Sequence, residues 1–345
     1  MLQTKINSKK LTLNKELKNL LIESLIEIPT ADNVQPFRYD FKDESLYIYH
    51  NKKIAKHKLN PDQKSSLISY GCIKTCINIV SSHFDLLPIF DEYNTEDAED
   101  TLWAIVSFEF RKRQKDELLS EIPKRVTNRG LYQIPTQIKI NSARESLDKD
   151  FDLIYIEENQ IDSIANNDQL VWKDTETVKD LLSKINLVFR KTSGLNFENL
   201  YVKTLDRIPL IIVKRFPFLG KIVWPLVKYK MKKTIQSSSY VLVYYSKTEN
   251  NTDYIKTGEK CYRQWLRMTQ LGLAMQPLTS STYAIKVDDT HLSMNNTPLH
   301  KVIGTDREVA WAFRVGIPLK RSLKSNRLTK SEVTSLDSFS LPDLE

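Results

Sequence analysis

The scarcity of glycine constrains this chain most. Eight glycines are spread over 345 residues, against an ordinary share of roughly 7%, and none falls in a GxGxxG or GxxxxGK[ST] array. A backbone cradle for phosphate needs such glycines, because only they let main-chain amides approach closely enough. If the chain binds a nucleotide, Arg and Lys side chains must hold its phosphate.

The length suits one large domain or two medium ones, and a composition 41% hydrophobic and 27% charged is that of a globular protein with a substantial core. Lys5, Lys9 and Lys10 precede an apolar run, but Lys15, Glu16, Lys18 and Glu23 interrupt it. It therefore lacks the unbroken core of a secretory signal, and a cytoplasmic location is expected. The three cysteines show no CxxC spacing; Cys72 and Cys76, four apart on a predicted helix, read as small core residues. His50, His57, His83, His291 and His300 are scattered without HxxxH or HExxH spacing, so no metal site is expected. The net charge of +8 and a pI near 9.1 raise nucleic acid or an anionic surface as a partner, but charge alone supports neither, and no nucleic acid is expected.

Helical spacing of Leu13, Leu17, Leu20, Leu21, Leu25 and Ile28 predicts a helix ended by Pro29. The stretch FRYDFKDESLYIYH then alternates like a hairpin turning at Lys42 to Glu44. A buried helix follows, with Asn60 as N-cap, Pro61 at its first position and Gln63 completing a capping box. Further on come a strand TLWAIVSFEF, a polar turn IPKRVTNRGLY, a strand FDLIYIEE, a helix from Thr175 to Phe189, a strand SYVLVYYSK and an amphipathic helix beginning at Gly258. The region after Ala312 reads as a basic tail, and residues 333–345 as a loose extension. The predicted class is α+β, an antiparallel or mixed sheet flanked by helices, with VQPF at 34–37 and MQPL at 275–278 hinting at a degenerate repeat.

Four of these stretches carry a family resemblance. The run Pro29-Thr30-Ala31-Asp32-Asn33-Val34-Gln35-Pro36-Phe37 resembles the P-S-x-x-N-x-Q-P-W stretch of nitroreductase-family flavoproteins, with Thr for Ser and Phe for Trp. The run Arg125-Val126-Thr127-Asn128-Arg129 is similar to the family's R-x-[ST]-x-R element, in the R-x-T-N-R form of the branch that fuses two halves in one chain. TGEKCYRQWLRMTQLGLAMQP and FRVGIPLKRSLKSNRLTKSEV resemble the long helix and the C-terminal arm of the second half. The resemblance runs from about residue 12 to about 332.

What it implies is a nitroreductase-like fold of two pseudo-repeated halves, at 1–120 and 121–332, so that no second copy is required for a complete site. It implies FMN as cofactor, NADH or NADPH as electron donor and an unspecified small-molecule acceptor. Arg125, Thr127, Asn128 and Arg129 would hold the flavin phosphate, with Lys324, Ser325 and Arg327 closing over it. Asn33, Gln35 and Gln276 would read the donor and acceptor edge of the ring, since a carboxamide offers both functions. Each of these residues could instead be a solvated charge or a helix-capping amide. No acid, base or nucleophile stands out, and the family also includes proteins that hold flavin without turnover.

An insert at 203–233, basic and aromatic, is a candidate lid. Lys214, Arg215 and Lys221 break any apolar window long enough to span a membrane. Weak contact with an anionic membrane surface through 208–233 is the alternative. Prolines at 209, 217 and 225 are expected to prevent a continuous interfacial helix, favouring a lid that buries Phe216, Phe218 and Trp224.

Overall fold

The computed structural model describes residues 12–92, 100–201, 203–282, 297–320 and 323–336. The N-terminal lysines, His291 and the extension from 337 onward lie outside the described residues.

Helix α1 (Lys15–Ile26) starts at Asn14, whose side chain accepts from Leu17 N, and buries Leu17, Leu21 and Leu25. Strands β1 (Phe37–Lys42) and β2 (Ser45–Asn51) form the expected hairpin. It turns on Asp43 and Glu44, both left-handed at φ 47° and 63°, which is the turn geometry that matches strand twist. After the short α2 (Lys52–Ala55) comes α3 (Lys64–Ser82), buried along nearly its whole length. Its start differs from the expected capping box. Asn60 is not the N-cap; its Oδ1 reaches forward to accept from Ser65 N at 2.7 Å, across left-handed Asp62 and Gln63. Strands β3 (Leu86–Glu92) and β4 (Asp100–Phe110) complete the first sheet, ordered β1-β2-β4-β3 and antiparallel.

The second sheet repeats that order. Strand β5 (Tyr132–Gln133) pairs with the end of a central strand, α4 (Gln137–Glu145) follows, and then β6 (Phe151–Tyr155), β9 (Tyr240–Tyr245), β10 (Ala274–Pro277) and β11 (Val309–Pro318) run β6-β9-β11-β10, again antiparallel, with β5 on the last residues of β11. In each sheet one helix precedes the first strand, α1 or α4. One long helix joins the second to the third, α3 or α10 (Asn251–Gln270). Between β6 and β9 the second unit inserts α5 (Glu158–Asn166), α6 (Gln169–Trp172), α7 (Thr175–Ser183), the parallel pair β7 (Ile185–Asn186) and β8 (Leu195–Asn196), α8 (Thr204–Arg215) and α9 (Gly220–Gln236).

The units meet where α3 crosses α10. A Cβ on Gly71 would lie 1.9 Å from Ile255 O, and one on Gly258 1.9 Å from Ile68 O. Two of the few glycines thus let the helix backbones touch, and Thr75 Oγ1 donates across to Glu259 O at 3.1 Å. Leu266 and Tyr262 of α10 pack into the core built by α1, α3 and the first sheet.

Several expectations need correction. Helix α10 begins seven residues before Gly258, at a capping box formed by Asn250 and Asp253. The helix expected to run to Phe189 ends at Ser183 and gives way to β7. The basic tail after Ala312 is the continuation of a central strand, with Phe313, Arg314 and Val315 buried. The extension starts later than 333, because α12 (Lys330–Thr334), which follows α11 (Leu299–Val302), buries Val333 at 3% exposure. Finally, Pro209 and Pro225 sit inside α8 and α9, and only Pro217 falls at the break between them. The lid arrangement would bury three rings; here Trp224 alone is buried, while Phe216 and Phe218 are 49% and 60% exposed.

Candidate functional site

Three distant segments meet at the end of α1. Asp32, Asn33 and Gln35 have φ of 47°, 58° and 53°, a left-handed region that Asn and Asp tolerate and that costs other side chains about 1 kcal/mol or more. Their amides are what the turn is built around. Asn33 Nδ2 donates to Gly194 O at 3.0 Å and to Asn326 O at 2.9 Å, and Asn33 Oδ1 accepts from Arg327 Nη1 at 2.6 Å. Gln35 Nε2 donates to Thr192 O at 2.8 Å, and its Oε1 accepts from Leu328 N at 2.9 Å. Both residues are buried, at 5% and 7% exposure. They clamp the turn, the β7–β8 loop and the C-terminal arm together. Gly194 suits that loop at φ +81°, where a Cβ would meet Lys184 O at 2.6 Å.

Beneath the clamp lies a basic knot around Glu27, a residue the sequence reading passed over. The Glu27 carbonyl accepts from Arg125 Nη2 at 3.0 Å and Arg327 Nη2 at 3.3 Å, and its carboxylate pairs with Lys324 at 2.7 Å. Arg125 is 2% exposed, with its guanidinium 4.5 Å from the Trp265 ring centre. Ser325 lies half-buried between Lys324 and Arg327. Burial pulls the Arg327 guanidinium down to about 10, with the neighbouring Arg125 charge adding to the shift, and burial lowers Arg129 as well. Among the described residues, Arg125 Nε and Nη1, Arg129 Nη1 and Arg327 Nε are buried without a hydrogen-bond acceptor. Orphaned donors of this kind cost about 1–3 kcal/mol each. Glu27 is the carboxylate beside Arg125, Arg327 and Lys324, and its Oε2 lies 4.0 Å from Arg327 Nε; Arg129 on the adjoining segment faces Asp32, Tyr132 and Tyr201 instead.

The remaining predicted residues form a second cluster, tied to the first by the 125–130 segment. Thr127 bridges Met275 in parallel register, and Asn128 N donates to Met275 O at 3.2 Å. Asn128 Oδ1 accepts from Gly130 N at 2.8 Å. At the centre stands Arg314, also unassigned from sequence. Its Nε donates to Gln276 Oε1 at 2.7 Å, its Nη2 to Gly130 O at 2.7 Å and Asn128 O at 3.2 Å, and its Nη1 to Thr234 O at 3.3 Å. The guanidinium also stacks 3.9 Å from the Tyr132 ring centre, and burial takes it down to about 10. Gln276 is therefore engaged by Arg314. A lone Arg within the apolar run VAWAFRVGIP was the available signal for it.

Two small recesses border the clamp. One, of about 10 Å³, is lined by Thr30, Val34 and Ser66 among others; the other, of about 20 Å³, by Ile28, Gln35 and Tyr39 among others. Each has room for about one water. A ring system would require the elements over it to part.

No family model and no curated protein matches this chain. Among solved structures, it is similar to a variant of the FMN- and NADPH-dependent nitroreductase NfnB from Sphigopyxis sp. strain HMH, at 12% identity and TM-score 0.35, over 64% of this chain and 98% of that one. It is likewise similar to the FMN-dependent nitroreductase NfnB from Mycobacterium smegmatis in complex with NADPH, at 12% identity and TM-score 0.33, over 62% and 95%.

Proposed function

We propose that this chain binds FMN and works as a nicotinamide-dependent, nitroreductase-like oxidoreductase, with both units of one chain contributing to a single site. The observation that carries the reading is the set of buried guanidinium donors on Arg125, Arg129 and Arg327 that lack acceptors. A phosphate supplies several anionic oxygens and suits forked, charge-assisted contacts. These residues fit the phosphate end of the cofactor, with Thr127, Asn128, Lys324 and Ser325 on the same two segments. When bound, FMN supplies the hydride and electron chemistry. This chain's own part is to anchor the phosphate, to keep water from it through the Asn33–Gln35 clamp, and to hold the arm 323–328 over it.

A second reading, flavin held without turnover, is favoured by the commitment of Asn33 and Gln35 to internal hydrogen bonds. It keeps the phosphate anchor and drops the nicotinamide step.

Flavin titration separates these readings. Each charge-assisted contact contributes about 1.5–3 kcal/mol, so Arg129→Ala should weaken FMN by about one to two decades and leave riboflavin, which has no phosphate, nearly unaffected. Equal losses for both flavins would assign Arg129 to the fold. Anaerobic reduction of bound FMN by NADPH or NADH is expected for the enzyme. A flavin that dithionite reduces but neither nicotinamide does would select the second reading.

A further inference from the structure

We infer that the α8–α9 hairpin is a docking element for an anionic lipid surface, on which the protein lies without spanning it. Residues 203–236 hold nine Lys or Arg against the single Asp206. That surplus of eight equals the formal charge of the whole chain, +8, so the rest of the molecule is electrically balanced and the positive charge is concentrated here.

The apolar residues of the same segment divide into two faces. Leu210, Val213, Leu219 and Val223 point inward and pack with α7 and the β7–β8 pair. Ile208, Ile212, Phe216, Phe218, Ile222 and Leu226 point outward and are exposed, from 46% at Ile212 to 73% at Ile222. On α8 the outward positions 208 and 212 lie one turn apart, with Phe216 just past its end, and on α9 positions 222, 226 and 229 follow a helical stripe spacing. Phe216 and Phe218 meet edge to face, ring centres 6.3 Å apart, at the exposed break between the helices. Of twenty large hydrophobic side chains exposed among the described residues, nine lie between 205 and 229. Such concentration on one element marks a contact surface.

The chemistry of the surroundings selects the occupant. Arg215 and Lys221 are exposed and flank the two Phe residues in the chain. Lys228 and Lys232 flank Asp162, and Lys230 pairs with Asp206 at 2.8 Å, which fastens the middle of α9 to the start of α8. Bare Ile, Leu and Phe side chains rimmed by Lys and Arg match the boundary between acyl chains and anionic headgroups, where basic stems snorkel and rings insert. A nucleic acid would use the charge but leave the aliphatic stripe in water. No helix among the described residues is long and apolar enough to cross a membrane.

The experiment is flotation of the full chain with vesicles of phosphatidylcholine alone and of phosphatidylcholine with 30% phosphatidylglycerol. Binding is expected only to the anionic vesicles and should fall with salt. Arg215→Glu/Lys221→Glu should reduce the partition constant at least 20-fold, from about fivefold per basic side chain. Phe216→Ser/Phe218→Ser should reduce it by a decade or more at unchanged net charge. Unchanged far-ultraviolet dichroism and flavin titration would show that both variants are folded. Absence of binding to anionic vesicles at low salt overturns the inference. So does binding indifferent to the Phe pair, which would make the hairpin a generic polycation. Concentration-dependent dimerisation abolished by the Phe variant, without vesicle binding, would assign the face to a second copy and also overturn it.

Discussion

The two principal helix pairs of this molecule are built on opposite terms. Where α3 crosses α10, glycines bring the backbones into contact, and buried Leu, Ile, Cys and Tyr fill both sides. Where α8 turns into α9, one face packs and the other is left apolar in water, under a crowd of lysines. The first pair joins two sheets of the same strand order and has no tolerance for added atoms. The second is an appendage on one of those sheets and carries nine of the twenty large hydrophobic side chains exposed among the described residues.

That contrast is broken most sharply at Gly71 and Gly258. An Ala at either position puts a Cβ 1.9 Å from a backbone carbonyl of the partner helix, and neither helix has a flexible side chain that can move aside. Gly258→Ala is expected to cost about 3 kcal/mol or more, measured as a fall in the urea midpoint at constant slope. Gly304→Ala, where nothing lies within 4 Å but φ is +71°, should cost only the left-handed penalty of about 1–2 kcal/mol. Similar losses at the two sites would mean that α3 and α10 can separate cheaply.

A second test concerns the clamp between them. Asn33→Ala removes three hydrogen bonds and places Ala in a left-handed turn. At about 1 kcal/mol per bond, the cofactor-free protein should lose about 3 kcal/mol. A loss within about 0.5 kcal/mol, together with weakened flavin binding, would instead make Asn33 a ligand-reading amide.

These residues also show how much could be read from sequence. The hairpin at 37–51, the run of α3 and the strand β4 follow from local alternation and turn chemistry, and the sequence was sufficient for them. The motif residues do cluster as two knots, but their partners were not legible. Glu27 meets Arg327 across 300 residues, and no local pattern encodes such a pairing. Arg314 was visible as a charge inside an apolar strand, yet its basic neighbours Lys320, Arg321 and Lys324 gave the region the look of a tail. The capping box at Asn250 was present in the sequence but hidden in the polar run TENNTD. The prolines misled because Pro209 and Pro225 lie near the middle of helices held by packing on one face, where tertiary contacts override a local breaker.

The insertion that carries α8 and α9 has its own pH handle. Burial pushes the Asp168 carboxyl, at the start of α6, up to about 6, partly offset by a hydrogen bond with Ser280. The folded state therefore holds this proton more tightly than the unfolded chain, with its ordinary value near 3.8. The resulting stabilisation is complete below about pH 4 and is lost as pH rises through about 6. Asp168→Asn should add about 1–3 kcal/mol at pH 7.5 and flatten the urea midpoint between pH 4 and 7. An unchanged slope would locate the titration elsewhere.

The smallest effect is expected on the outward face of the hairpin, and its smallness is informative. Phe218 is 60% exposed and Ile222 73%, so replacing either with Ser forfeits little burial in the isolated protein. Both changes should move stability by no more than about 0.5 kcal/mol, as ordinary surface substitutions do. The inward counterpart Val213 is fully buried; Val213→Ala creates a cavity and should cost about 1–3 kcal/mol. Thermal or urea unfolding of these three variants therefore measures the two faces of one element against each other. If Phe218→Ser were as costly as Val213→Ala, the outer face would be part of the protein's own core, and its apolar side chains would need no outside partner. If it is silent, the exposed rings do nothing for folding, and their presence beside Arg215 and Lys221 calls for a surface outside the chain.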